Sequence, residues 1–476
     1  MIADTSTPLS AGFKPYSEYK DSGLPWLGKV PEHWDVLPHR ALFEEIKERE
    51  QPNEQMLSVT ITRGVIKQRD LLAGSSKKDS SKLDKSAYKL VCPGDIAYNK
   101  MRAWQGAIGV SDLRGIISPA YVVQRLRGAH NPRYFHHLFR TPGFAKEAES
   151  WSYGITSDMW SLRPEHFKAI YSPLPPDEEQ AAIVRFLDHA THRLDKTIQA
   201  KRKTIALLNE QKQAIIHRAV TCGLDPDVPL KDSGIPWLGQ IPAHWEVCRL
   251  GRLAKILNGT TPSRAKPAYW SNGTIPWLAS GKVNDGLVTK PSELITTRAL
   301  DECSLTLISS GALIMGMIGQ GRTRGMCALL SIDACINQNL AAIVSGPLLF
   351  NLFLLNTLIA CYYDIREFGR GGNQAALNCE IVGRLPVPVL PVEEQQAICR
   401  FIQDETNSLN AAMSRFEREI ELLREYRTRL IADVVTGKLD VREAAARLPA
   451  VESALADEPE LAAIEETDEE LAEGNA

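Results

Sequence analysis

The side chains with most chemical potential in this sequence are hydrogen-bonding groups rather than catalysts. Asn99, Lys100, Arg102 and Gln105, with Trp104 among them, follow the strand-like run Gly94–Asn99. Gln320, Arg322, Thr323 and Arg324 follow a second such run, Gly311–Gly316, and Arg370, Asn373 and Gln374 form a further cluster. Arg, Lys, Asn and Gln match the hydrogen-bonding edges of bases and the oxygens of phosphate. A single one of them is more often a solvated surface group. Clustered after strand signals in two parallel stretches, they carry more weight.

Covalent and metal chemistry have no comparable candidates. The sequence contains no Gly-x-x-x-x-Gly-Lys-Ser/Thr loop, no His-Glu-x-x-His and no Cys-x-x-Cys. Gly319, Gly321 and Gly325 miss the dinucleotide-binding spacing. Asn131-Pro132-Arg133-Tyr134 is near the Asn-Pro-Pro-Tyr signature of amino-methyltransferases, but no glycine-rich cofactor motif precedes it, and it reads as a helix start. His33 and His244 sit in repeated Pro-x-His-Trp segments and read as packing residues. No catalytic or metal site is assigned.

These clusters lie on a chain that is written twice. Residues 20–36 recur as residues 231–247 with twelve of seventeen positions identical, framed by Lys-Asp-Ser-Gly-x-Pro-Trp-Leu-Gly-x-x-Pro-x-His-Trp. The offset is 211 there and 215 later, where Leu162 matches Leu377 and Glu178-Glu-Gln matches Glu393-Glu-Gln. The middle of each copy differs, which suits one scaffold presenting two different reading surfaces or, as the alternative, drift in loops and edge strands. Gly94–Asn99 and Gly311–Gly316 read as buried strands, and Asn131–Phe139 and Leu348–Leu355 as helices packed on a sheet.

After Pro176, Asp177 is positioned to cap a helix, with Gln180 completing a capping box. Apolar residues then follow a heptad: Leu187, Leu194, Ile198, Ile205, Leu208 and Ile215 in the first copy. Ile402, Leu409, Met413, Phe416, Ile420, Leu423 and Leu430 do so in the second. Both rows break at matching positions, Lys212 and Arg427. Neither glycine nor proline interrupts 177–220 or 392–435, so each helix would extend about 66 Å. A narrow apolar seam on so long a helix needs a second helix to cover it. The pattern predicts antiparallel pairing of the two, with Gly223 and Gly437 as stops.

The 476 residues suggest roughly three domains. The apolar fraction of 44% and charged fraction of 24% exclude fibrous and wholly disordered classes. Net charge is −3, but residues 443–476 hold eleven acidic side chains and one basic, which leaves +7 on the rest. A mildly basic body permits a polyanionic partner. Nine scattered cysteines suit reduced thiols in a cytoplasmic protein. The start has no secretory pattern. The uncharged stretch Leu340–Tyr363 contains Pro347 and Asn351, and its counterpart carries Arg125, Arg127, Arg133 and Arg140; it reads as a strand and buried helix rather than a membrane span.

The combination resembles the specificity subunit of a type I restriction–modification system. The resemblance rests on the Lys-Asp-Ser-Gly segment opening each copy. It rests also on Pro-Leu-Pro-Pro-Asp-Glu-Glu-Gln180 and Pro-Val-Leu-Pro-Val-Glu-Glu-Gln395, each opening a long helix, and covers about 20–442. It implies an α+β fold: two mixed α/β target recognition domains separated by two long antiparallel coiled-coil helices, in a pseudo-two-fold repeat. The expected divisions are an N-terminal extension (1–19), recognition domain 1 (20–175), long helix 1 (176–222), recognition domain 2 (223–390), long helix 2 (391–442) and a disordered acidic tail (443–476).

The resemblance further implies a non-catalytic subunit that reads a bipartite, asymmetric site in double-stranded DNA, the coil setting the gap. Partners would be two methyltransferase subunits and motor-nuclease subunits, with no membrane. S-adenosylmethionine, and ATP with Mg2+, would sit on those partners and no cofactor on this chain. The alternative reading is a coiled-coil interaction scaffold without DNA recognition.

Overall fold

The computed structural model describes residues 14–49, 51–72, 85–154, 160–319, 321–368 and 376–449. The chain forms two compact units. One comprises residues up to Lys201 together with those from Arg418 on, and the other is Arg202–Glu417.

In the first unit four antiparallel strands run in the spatial order Phe43–Ile46, Tyr121–Leu126, Ile96–Asn99, Ile108–Val110. In the second the order is Ala254–Asn258, Leu340–Ser345, Leu313–Gly316, Cys327–Leu330, with Leu287–Val288 added in parallel at the edge. Helices Pro132–Phe139 and Asn351–Ala360 occupy matching places. Tyr134, Phe135, Leu138 and Phe139 are buried in one, and Phe353, Leu354, Thr357 and Leu358 in the other. This is an α+β architecture made twice.

Pairing registers refine the alignment of the copies. Phe43 faces Leu126 and Ala254 faces Ser345; Ala97 faces Val123 and Ile314 faces Ala342. The second copy therefore gains six residues before its third strand in spatial order and two more in the loop that follows. It loses four after the matched helix, which restores the offset of 215 at Leu162 and Leu377. That is why the middle looks unrelated at a fixed offset. The second helix also starts later than Leu348. Gln395 holds the Leu348 carbonyl through Nε2 (2.8 Å) and accepts from the Phe350 amide (2.8 Å), so 348–350 enter as a turn ending in the extended N-cap Phe350.

Each unit's variable part leaves and returns through a two-stranded neck. Asp35–Pro38 pairs with Tyr171–Leu174, and Glu246–Arg249 with Pro386–Val389. Beside the first neck, His39 is fully buried among Phe43, Phe139, Phe144 and Phe167, with Nε2 2.7 Å from Ser172 Oγ. Burial pushes its pKa down to about 3 from 6.5. The folded state keeps the ring neutral while the unfolded state protonates below about pH 6.5, so this group contributes stability that falls away as pH drops toward 3. The slope is about 1.4 kcal/mol per pH unit between those limits. His39→Gln removes that contribution to the slope, which urea unfolding at pH 5, 6 and 7 will report; an undiminished slope would show that the imidazole titrates alike in both states.

The long helices run Asp177–Cys222 and Val392–Val435, 46 and 44 residues. The Asp177–Gln180 capping box does not form. The amides of Glu179 and Gln180 bond the Pro176 carbonyl, Asp177 takes His130 Nδ1 at 2.8 Å, and Gln180 reaches out to the Asn131 amide at 2.9 Å. Tertiary partners displace the local cap. The helices stop at Gly223 (φ +74°) and Gly437 (φ +77°). A Cβ on Gly437 would lie 2.3 Å from Pro31 Cδ, so this stop also demands a bare α-carbon for close packing.

Within the first unit the helix segments lie antiparallel: Lys201 Nζ meets Glu419 Oε2 at 2.5 Å and Arg427 meets Asp195 at 3.1 Å. Within the second, Lys212 Nζ donates to Asn410 Oδ1 at 2.8 Å. Lys212 and Arg427 are the break that the two copies' apolar rows share, and Asn410 and Asp195 are likewise equivalent in the repeat. The same polar pair thus occurs once in each unit, which pins the register of the seam. Of the seam residues, Leu187, Leu194, Ile198, Ile402, Met413, Ile420 and Leu430 are buried. Ile205, Leu208, Ile215, Leu409, Phe416 and Leu423 are half-buried.

The sequence boundaries shift at both ends. Tyr16 is buried, its hydroxyl donating to Glu179 at 2.5 Å, and the Asp440 amide donates to the Lys14 carbonyl at 3.0 Å. These residues of the supposed extension belong to the body. Helix Arg442–Ala446 lays Ala445 into the first unit's core, so the packed chain continues past 443 into the segment expected to be tail. Residues 450–476 lie outside the described residues. No helix among the described residues is long and apolar enough to cross a membrane.

Candidate nucleic-acid interface

The loop after Ile96–Asn99 and the loop after Leu313–Gly316 hold the same sheet position, each leading to the next antiparallel strand. Asn99, Lys100, Arg102 and Gln105 occupy the first; Arg322 and Arg324 occupy the second. In the first, the Met101 amide donates to Asn99 Oδ1 at 3.0 Å and Trp104 Nε1 donates to the Met101 carbonyl at 2.9 Å. The Trp104 ring packs edge-on to Trp160 at 5.5 Å. Gly106, at φ +97°, ends the turn. Asn99 and Trp104 thus shape the loop, while Arg102 and Gln105 are exposed and Lys100 is half-buried.

In the second loop the Gly325 amide donates to the Gly316 carbonyl at 2.8 Å and closes the turn. Tyr362 donates its hydroxyl to the Arg322 carbonyl at 2.6 Å, and Arg366 donates to the Arg324 carbonyl at 2.9 Å. Helix Tyr362–Glu367 therefore holds this loop by its backbone. Arg322 is exposed and Arg324 half-buried.

A second segment is stitched to each loop by an equivalent bond. The Leu162 amide donates to the Lys100 carbonyl, and the Leu377 amide to the Met317 carbonyl, both at 2.9 Å. In the second unit this bond sits just past the Arg370–Gln374 cluster. Gln320, Arg370, Asn373 and Gln374 themselves lie outside the described residues.

The field near the first loop is positive. Lys89 donates to the Tyr121 carbonyl at 2.5 Å; its pKa is lowered by burial first and then by Lys100. Tyr121 faces Asn99 across the sheet. Burial raises its pKa, with Arg102 acting against the rise. Four cysteines, Cys327, Cys335, Cys361 and Cys399, are buried, all nine are free, and burial raises the pKa of each of those four. Among the described residues no group of His, Cys, Asp or Glu could hold a metal ion.

The structure also explains what the framing repeats are for. His33 Nε2 and Trp34 Nε1 meet the Glu179 carboxylate at 2.8 and 3.0 Å, and His244 and Trp245 meet Glu394 at 3.0 and 2.9 Å. Gln180 and Gln395 then accept from the backbone amides of Asn131 and Phe350. In each Glu-Glu-Gln, the second glutamate grips the framing segment and the glutamine grips the variable domain. The duplication of both motifs was the available signal; their pairing was not.

The class defined here is a duplicated α+β chain built on two long helices. A solved chain from a type I R-M system shares this fold: TM-score 0.63, 17% identity, 86% of this chain and 99% of its own length covered. Residues 242–422 match the Type I restriction modification DNA specificity domain family. Over 452 residues the sequence is 25% identical to the MjaX type I restriction enzyme specificity subunit assigned in Methanocaldococcus jannaschii, covering 87% of this chain and 96% of that one. It is 23% identical to the EcoR124I/EcoR124II specificity subunit of Escherichia coli over 54% of this chain and 60% of that one. One domain by the family match, and most of the chain by its relatives, are thus similar to the specificity subunits of type I restriction–modification systems.

Proposed function

We propose that this chain reads DNA sequence for a type I restriction–modification complex. Each unit reads one half of a split, asymmetric duplex site. The two long helices form an antiparallel coiled coil that sets the interval between the halves. Two methyltransferase subunits, which bind S-adenosylmethionine, and motor-nuclease subunits, which bind ATP with Mg2+, carry out the chemistry in this reading, and this chain supplies none of it. The observation carrying the proposal is the loop pair: the same sheet position in two like units, presenting Arg102 and Gln105 in one and Arg322 and Arg324 in the other. Unlike readers on like scaffolds give a site whose halves differ.

Methylated-motif mapping in a host carrying this chain with its partner subunits tests the proposal. One two-part, non-palindromic adenine-methylated sequence is expected, appearing only when the chain is present. A continuous palindrome, or methylation indifferent to the chain, would overturn it. The purified chain should also bind duplex DNA with an affinity that falls linearly in log salt, because phosphate contacts release counterions. A pure interaction scaffold would show no such binding.

A further inference from the structure

In the first unit a cleft of about 530 Å3 opens beside the reading loop. Its walls come from distant stretches of chain: the turn at Arg63, helix Pro132–Phe139 with Arg140 after it, and Arg424, Arg427 and Thr428 on the second long helix. Four arginines line it and no carboxylate does; Ile431 is its one aliphatic side chain. Asp195 lies outside the lining and pairs with Arg427 at 3.1 Å.

The cleft is held in shape. Arg140 donates to the carbonyls of Ile108 (3.2 Å), Ile61 (2.8 Å) and Thr62, which ties the turn to the sheet. His136 Nδ1 accepts from the Val110 amide at 3.2 Å, so its neutral ring carries the proton on Nε2 as a donor. Burial, then Arg140, hold the His136 pKa well below the ordinary value and keep the ring neutral. The turn also abuts the reading loop: a Cβ on Gly106 would stand 3.9 Å from Ile61.

The second unit has a cleft at the equivalent place, of about 1210 Å3, opening onto Arg322 and Gly325 of its own reading loop. There Asn209 and Gln213 stand where Arg424 and Thr428 stand in the first unit, and Ile359 replaces Arg140. The feature repeats with the scaffold and changes its chemistry with the domain.

We propose that the first unit's cleft seats backbone phosphates of the duplex alongside the half-sequence that its loop reads, so that the long helix binds DNA directly as well as spacing the readers. This rests on the DNA-reading function proposed above. No carboxylate lines the cleft itself, although Asp195 meets Arg427 and Asp188 meets His137 (both 3.1 Å) from outside it, and a lining with four arginines and no carboxylate suits phosphate oxygens. A partner helix would instead require an apolar wall, which one isoleucine does not provide.

The test uses the full chain carrying Arg63→Gln with Arg424→Gln, and separately Thr428→Glu on the exposed helix face. Binding to a duplex containing the methylated site and to a scrambled duplex is followed across roughly 50–200 mM salt. The glutamine variant should give a salt slope shallower by about 0.9 for each phosphate it no longer neutralises. Both variants should weaken both duplexes by the same factor, with the thermal melt and the methylated sequence unchanged. Unchanged binding by correctly folded variants overturns the inference, as does failed assembly with methyltransferase subunits at unchanged duplex affinity. So does an altered methylated sequence, which would make these residues base readers. If the unsubstituted chain binds no duplex, it is the DNA-reading function itself that fails.

Discussion

Replacing residues 39–170 with the corresponding domain of another specificity subunit changes one half of the methylated sequence and leaves the other half and the interval as they were. The reason lies in the neck. His39 and Ile170 are joined by a backbone bond of 2.7 Å just beyond the pair Pro38–Tyr171, so both ends of the graft lie together on one ribbon. A junction at 152 would be worse. It would separate Lys100 from the Leu162 amide that braces the reading loop, and the fully buried Tyr98 from the Phe167 ring stacked on it at 5.1 Å. One contact from the long helix to the graft is blind to sequence, since Gln180 accepts from the amide of Asn131 just as Gln395 accepts from that of Phe350, two unlike residues, whereas His130 on Asp177 and His137 on Asp188 are side-chain contacts that a graft would replace. The most buried of the side-chain contacts should be kept. Tyr134 donates to the Val435 and Pro173 carbonyls at 3.0 and 3.2 Å from a fully buried position. Grafts lacking a tyrosine there should express poorly. The methylated motif of the exchanged chain reads the result directly, and a change in both halves would mean that the units do not read independently.

The long helices were legible because their signal is local. A heptad survives inspection of forty residues at a time, and Gly223 and Gly437 mark their ends by conformation alone. The duplicated frame was legible because its residues repeat in order. What stayed hidden depends on side chains meeting across the chain. Glu179 looks like one more acidic residue at a helix start, yet it collects Tyr16, His33 and Trp34, over a hundred positions earlier. Asp177 has the type and place of a cap, but His130 claims it. The candidate loops fall near the correct strand ends, since Gly94 and Gly311 both turn with positive φ ahead of buried strands. Asn99 reads in the sequence as a contact to an outside partner, whereas its oxygen is engaged in its own turn. The arginine cleft has no sequence signature, because Arg63, Arg140 and Arg424 come together only when three segments pack.

Deleting one heptad from each long helix shortens the preferred interval between the half-sequences by about three base pairs, at about 10.5 Å of helix and 3.4 Å of duplex rise. The pairs 201 with 419 and 195 with 427 fix which residues to remove together, for example 203–209 with 413–419. Removing both keeps the apolar rows in phase, since seven residues are one full repeat. It also leaves the polar pairs Lys212–Asn410 and Arg427–Asp195 intact. It sacrifices the Lys201–Glu419 pair, which is partly exposed and contributes about 0–1 kcal/mol. Removing seven residues from one helix alone should be far more damaging, because one row would then slip past the other and set Lys212 or Arg427 against an apolar neighbour. The matched deletion should therefore fold and methylate the same two half-sequences at a closer interval, and the single deletion should lose methylation. Methylated-motif mapping separates these outcomes. An unchanged interval after the matched deletion would show that the helices do not set the distance, and the ruler would have to be sought in the partner subunits.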